Sequence, residues 1–117
     1  LLGISCEEIQ RDRIGSAIKI RDIYAACTIL KGNKTVIAGE GVYICDQGGP
    51  ELAIPGSGDV LAGTLAGLIS SQIDTELACK IAVSSHGIAG EDFFNMVGEI
   101  GLKSSELIEY IRKRINT

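Results

Sequence analysis

Apolar positions early in the chain recur at helical spacing. Ile9, Ile14, Ala17, Ile18 and Ile20 share one face, and Ser5-Cys6-Glu7-Glu8 ahead of them has the Ser-x-x-Glu form of a capping box. The spacing predicts a single helix from Ser5 to Tyr24 or Ala25, weakened modestly by Gly15. The pattern then shifts to short β-rich runs at Cys27–Leu30, Thr35–Ala38 and Val42–Cys45. Gly39-Glu40-Gly41 between the last two predicts a hairpin. Asp46 to Pro55, with Gly48-Gly49-Pro50, reads as a loop.

The second half is helical in pattern. One helix runs from Asp59 or Val60 to Ser71, with Gly63 and Gly67 four residues apart predicting a close helix contact on that side. Asp74 is placed to cap the next helix, which carries Leu77, Ile81, Ala82 and Ser85 and continues to Met96 with Gly90 as a bend point. Ser104 is the expected N-cap of a last helix carrying Leu107, Ile108 and Ile111, with Arg112, Lys113 and Arg114 suited to its C-terminus. Strands followed by packed helices predict part of an α/β layered domain, with residues 1–117 as one unit.

Composition narrows the function classes. The 117 residues are 45% hydrophobic and 22% charged, and the net charge of −4 comes without any basic tract. Nucleic acid and anionic membrane surfaces are poor partners for such a chain. The apolar stretch Val60–Ile69 is too short to span a bilayer. Cys6, Cys27, Cys45 and Cys79 form no CxxC pair and have no nearby histidine at metal-ligand spacing, so reduced thiols and a cytoplasmic location are expected. The opening Leu1-Leu2-Gly3-Ile4 has no Met and reads like the middle of a structure, so the C-terminal part of a longer polypeptide is expected.

The richest chemistry lies in Pro55-Gly56-Ser57-Gly58-Asp59-Val60-Leu61-Ala62-Gly63. Small residues at the mouth of a helix expose backbone N–H groups, which with the helix dipole attract phosphates and oxyanions. Asp59 among them suits a base that takes a proton from a hydroxyl while the amides hold the developing charge. The ordinary alternative is a loop-to-helix junction with Asp59 as N-cap. Lys31-Gly32-Asn33-Lys34-Thr35 is either a polar turn between strands or a nucleotide-contacting loop, and it lacks the Gly-Lys-Ser/Thr ending of a Walker A motif. His86, the single histidine, falls among Ser85, Gly87 and Ala89 and reads as structural. Phe93, Phe94 and Met96 read as core, and Glu91 and Asp92 as solvated.

These motifs together resemble a known family. Pro55 to Leu68 is similar to the signature of the ADP- or ATP-dependent NAD(P)H-hydrate dehydratases, a branch of the ribokinase-like superfamily. Leu1–Ser5 with Glu8, Asp12 and Arg13 resembles the helix after that family's substrate loop, and Leu30–Ile37 its Lys-Gly-x-x-Thr nucleotide loop. Ser85–Gly90 and Gly101–Glu109 resemble its last two helices. The resemblance implies the C-terminal part of a ribokinase-like domain that phosphorylates the hydroxyl of hydrated NADH or NADPH and then expels phosphate. It gives Asp59 the roles of base and substrate contact, and Gly56, Ser57 and Gly58 the anion hole. Lys31, Gly32, Asn33, Lys34 and Thr35 would line the adenine nucleotide, with Gly58 beside its phosphates and Mg2+ as the accompanying ion. A ribokinase-like small-molecule kinase and a non-catalytic nucleotide-binding module are the alternatives. Ala53-Ile54-Pro55 departs from the small, flexible residues that the family usually has before the turn. Pro55, with its fixed φ and no N–H donor, is expected to stiffen the approach or to lose part of the nucleotide contact. The resemblance also places the N-terminal half, with its Pro-His-Pro-Gly-Glu-like substrate loop, before Leu1. Turnover is therefore expected to need that half, and either self-association or association with it is expected to cover apolar helix faces.

Overall fold

The computed structural model describes residues 2–117; the resemblance noted at Leu1 lies outside them. It forms two compact units, one ending at Cys45 and one spanning Asp46–Thr117, described here in turn.

The first unit has helices α1 (Cys6–Arg11) and α2 (Arg13–Tyr24) and strands β1 (Thr28–Leu30), β2 (Thr35–Ala38) and β3 (Val42–Cys45). Ser5 caps α1 as expected, accepting from the Glu8 amide at 3.1 Å. The single long helix does not form. Asp12 leaves the helical region (φ −137°, ψ 76°) and its carboxylate accepts from the Gly15 amide at 3.0 Å, which caps a second helix. A short acidic side chain that can bond the backbone two or three residues on competes with helix continuation, and here it wins. The left-handed Ala25 ends α2.

The strands follow the expected pattern. They make an antiparallel sheet in the order β1-β2-β3, with Thr35 opposite Cys45 and Ala38 opposite Val42. Val36 and Ala38, on one face of β2, pack with Ala17 of α2 in a small core flanked by Ile18 and Leu30. Alternation puts these two residues on the same side of the sheet, where α2 covers them.

The second unit is a loop with a 3-10 turn at Pro50–Leu52, then α3 (Ser57–Ser70), α4 (Thr75–Met96) and α5 (Ser104–Ile115). Asp74 caps α4 through the Leu77 amide at 3.2 Å, and the helix runs without a break through Gly87 and Gly90. Ser104 is not the N-cap of α5 but its first helical residue. Lys103 precedes it, and the Glu106 carboxylate accepts from the Lys103 amide at 3.1 Å. The core holds Ala89 and Phe93 of α4 against Leu102, Leu107 and Ile111. Phe93 and Tyr110 meet edge to face at 6.3 Å.

Three readings of side chains change. Phe94 and Met96 are exposed, Met96 by 75%, so only Phe93 of that group is core. Asp92 is not merely solvated: Arg114 grips it with two hydrogen bonds at 2.6 and 2.5 Å, tying α4 to α5. Those bonds, aided by the guanidinium charge, hold the Asp92 carboxyl below its ordinary value. A depressed carboxyl stabilises the fold at neutral pH, and that contribution is lost as pH falls through the carboxylate range. Finally, a Cβ at Gly63 or Gly67 would meet nothing within 4 Å, so the expected close helix contact is absent among the described residues.

The glycines of α4 are where close approach occurs. A Cβ on Gly87 would lie 2.7 Å from the backbone oxygen of Gln47, and one on Gly90 would lie 2.7 Å from Leu52 Cγ. The Asp46–Pro55 loop lies directly on this helix face. Helix propensity alone predicts a gain of about 1 kcal/mol for Gly87→Ala. The backbone clash reverses the sign, and a net loss of roughly 1–3 kcal/mol is expected. Thermal unfolding checks it: an unchanged or raised Tm would contradict this seating of the loop.

Candidate active site

Gly56 is the N-cap of α3 and sits in the left-handed region at φ 85°. A side chain is disfavoured there on two counts, because a Cβ would also stand 2.8 Å from Ser104 Oγ. Ser57, Gly58 and Asp59 are the first three helical residues. Asp59 is thus inside the first turn and not the N-cap of the ordinary alternative.

The first-turn amides are divided. Ser57 N–H donates to the Ile54 carbonyl at 3.2 Å, and Val60 N–H to the Gly56 carbonyl at 3.0 Å. The amides of Gly58 and Asp59 are left as the turn's open donors. The Asp59 carboxylate is exposed beside them. A developing negative charge at this mouth would meet two N–H groups and the positive end of a 14-residue helix. A hydroxyl group brought to the same mouth would find Asp59 as its nearest base.

Neighbouring elements hold the turn. Ser104 Oγ donates to the Pro55 carbonyl at 2.5 Å, fastening the residue before Gly56 to the start of α5. Upstream, the buried Glu51 carboxylate accepts from the Gly49 amide and Glu91 from the Gly48 amide, each at 2.8 Å. Glu91 is therefore a loop anchor, contrary to its reading as a solvated residue. His86 of α4 is 7% exposed, and its Nε2 lies 3.1 Å from Ser57 Oγ and 3.0 Å from Ser57 O. Its reading as a structural histidine fits this burial. What spacing could not reveal is that it sits against the first residue of α3, 29 positions away in sequence.

The residues of the other motif belong to the first unit. Lys31, Gly32, Asn33 and Lys34 form the exposed turn between β1 and β2, and Thr35 opens β2. Gly32 has φ 153° and Lys34 is left-handed at φ 59°. The Thr35 hydroxyl donates to the Gly32 carbonyl at 3.1 Å and accepts from its amide at 3.3 Å, which closes the turn on itself. Arg13, at the start of α2, completes it. Its guanidinium donates to the carbonyls of Asn33, Lys34 (3.1 Å) and Leu30 (3.0 Å). A Cβ on Gly32 would lie 2.7 Å from that guanidinium, so the glycine is also needed for room. Nothing in the spacing of Arg13 signalled this; a basic residue near the start of a helix ordinarily faces water.

Among the described residues, no three His, Cys, Asp or Glu side chains converge in a way that could hold a metal ion. The donor set at the turn is one carboxylate, Asp59, and does not form a protein cage for Mg2+. No helix among those residues is long and apolar enough to cross a membrane.

Comparison with known proteins gives this geometry a setting. A family model described as NAD(P)H-hydrate dehydratase matches residues 1–113. The bifunctional NAD(P)H-hydrate repair enzyme of Coxiella burnetii is 35% identical over 118 residues, covering 99% of this chain and 24% of that protein. The ADP-dependent (S)-NAD(P)H-hydrate dehydratase of Neisseria meningitidis is 32% identical, over 98% of this chain and 41% of its own length. The crystal structure of an ADP/ATP-dependent NAD(P)H-hydrate dehydratase from Bacillus subtilis, co-crystallised with ATP and Mg2+, matches with a TM-score of 0.91 at 28% identity, covering 98% of this chain and 42% of that one. The chain therefore spans about a quarter of the Coxiella relative and about two-fifths of the Neisseria and Bacillus ones. The expected fold class, part of a ribokinase-like α/β domain, agrees with that structural match. With the family model extending from residue 1 to residue 113, the chain belongs to the NAD(P)H-hydrate dehydratase family.

Proposed function

We propose that this chain carries the phosphoryl-transfer residues of an ADP- or ATP-dependent dehydratase that repairs hydrated NADH and NADPH. The observation that carries the reading is the exposed Asp59 carboxylate in the first turn of α3, beside the open Gly58 and Asp59 amides. Base and anion cradle there share one helix mouth.

In this reading the hydrate's hydroxyl gives its proton to Asp59 as its oxygen attacks the nucleotide's terminal phosphorus. The O–P bond to the remaining nucleotide breaks, and the amides take up the charge on the transferred group. The ester then loses inorganic phosphate, which takes the electrons of the C–O bond, and a proton is lost from the adjacent carbon, restoring the ring double bond. Lys31, Gly32, Asn33, Lys34 and Thr35 contact the adenine nucleotide, with the two lysines as point charges. We assign Mg2+ no protein ligand set; it would enter on the nucleotide's own phosphate oxygens. None of the four cysteines is in a disulfide, which suits the reducing, cytoplasmic setting of this reading. Partners of the chain are then the hydrate, the nucleotide, and either a second copy or the remainder of the fold.

Incubating the intact protein with hydrated NADH and ADP or ATP tests the proposal. Recovery of NADH absorbance with stoichiometric release of inorganic phosphate is expected. A phosphoryl group that stays on an accepting small molecule would point to a kinase, and nucleotide binding without turnover to a binding module. Either result overturns the reading.

A further inference from the structure

We propose that His86 is a positioning residue that aims the Gly58 amide by gripping the Ser57 carbonyl. The proposal rests on the reading of the Gly56–Asp59 turn as the phosphoryl site. A carbonyl oxygen only accepts hydrogen bonds, so a ring nitrogen 3.0 Å from Ser57 O must carry a hydrogen. That assigns the proton to Nε2 of His86. The same N–H lies 3.1 Å from Ser57 Oγ, so the hydroxyl oxygen is a second acceptor in a three-centre arrangement. The opposite tautomer would set a nitrogen lone pair against the carbonyl oxygen in a site where both residues are buried.

The link to chemistry is the planarity of the peptide unit. Ser57 C=O and Gly58 N–H belong to one rigid trans plane and point in opposite directions. Fixing the oxygen from the α4 side fixes the direction in which the Gly58 hydrogen leaves the helix mouth. Donation to that oxygen also polarises the amide and strengthens its N–H as a donor. His86 touches neither substrate nor nucleotide in this arrangement; it acts through one peptide plane. Gly87, next in sequence, packs on the Gln47 backbone, so the same stretch of α4 is held by the loop while His86 meets Ser57.

Nitrogen-15 NMR of the intact protein reads the tautomer directly, without substrate. A hydrogen on Nε2 is expected; a bare Nε2 overturns the proposal. The kinetic test compares His86→Leu with His86→Gln, whose side-chain N–H can replace the donor. His86→Leu should lower kcat on the order of 10²-fold, the size of effect that a small misplacement produces. KM for the hydrate should change little, and His86→Gln should recover most of kcat. Titration with inorganic phosphate should shift the Gly58 amide resonance in the native protein and His86→Gln, and much less in His86→Leu. If the two variants behave alike, the donor plays no part and the proposal fails. Should His86→Leu not fold, the tautomer and the His86→Gln kinetics still decide it. Full turnover by Asp59→Asn would instead overturn the reading of the site, leaving the Nε2 measurement to stand or fall by itself.

Discussion

Replacing Asp59 by Asn should lower turnover by about 10³-fold while leaving the fold and nucleotide binding in place, within the range that general-base removal produces. The substitution keeps the shape of the side chain and deletes only its basicity and charge. Asp59 lies in the first turn of α3 and is exposed, so removing its charge costs the helix roughly 0.3–1 kcal/mol of dipole interaction, too little to unfold the unit. The lost carboxylate also faces the mouth where phosphates would sit, so nucleotide affinity should hold or rise. Steady-state kinetics beside a nucleotide titration separates the two effects. Turnover within a few-fold of the unsubstituted protein would remove Asp59 from the chemistry.

Leu107→Ala should destabilise the second unit by about 2–5 kcal/mol, a large part of the stability of a domain this size. Leu107 is wholly buried and among the largest of the fully buried side chains. It sits on α5 in the core with Phe93, Leu102 and Ile111, where truncation leaves a cavity that helices anchored at both ends cannot close. Its neighbour Ile108 is 52% exposed and serves as the control, for which Ile108→Ala should cost well under 1 kcal/mol. Urea denaturation midpoints measure both. Equal costs would mean that α5 does not present the face described.

What could be seen in the sequence follows from which forces are local. The β2–β3 hairpin was legible because alternation and the Gly39-Glu40-Gly41 turn act within a dozen residues, and its strand limits match those expected. Asp74 was legible for the same reason. The break at Asp12 was not. Apolar spacing on either side is continuous, and the choice between helix and cap rests on one hydrogen bond to Gly15. Ser104 was misjudged because its hydroxyl serves a carbonyl 49 residues away and not its own helix.

At the candidate site the division is similar. The motifs Gly56–Asp59 and Lys31–Thr35 are contiguous and could be found by their glycines and charges. Their supports, His86 for one and Arg13 for the other, act across tertiary contacts that leave no spacing rule behind. The family resemblance fixed the register of the chain, yet it did not say which first-turn amides remain open. That follows from the Ile54 carbonyl having taken the Ser57 N–H.

Arg13 bonds carbonyls and not a carboxylate, so its charge is left uncompensated next to Lys31 and Lys34 among the described residues. The chain as a whole carries −4. That net charge would repel a polyphosphate from solution, and the cluster of Arg13, Lys31 and Lys34 would attract one. The changeover comes within about a Debye length, ~8 Å at physiological ionic strength. On the proposed reading, collisions arriving over the β1–β2 turn would be favoured over those arriving elsewhere. If that loop takes the nucleotide as proposed, Arg13 would raise the association rate through its charge alone, its guanidinium being occupied by backbone carbonyls.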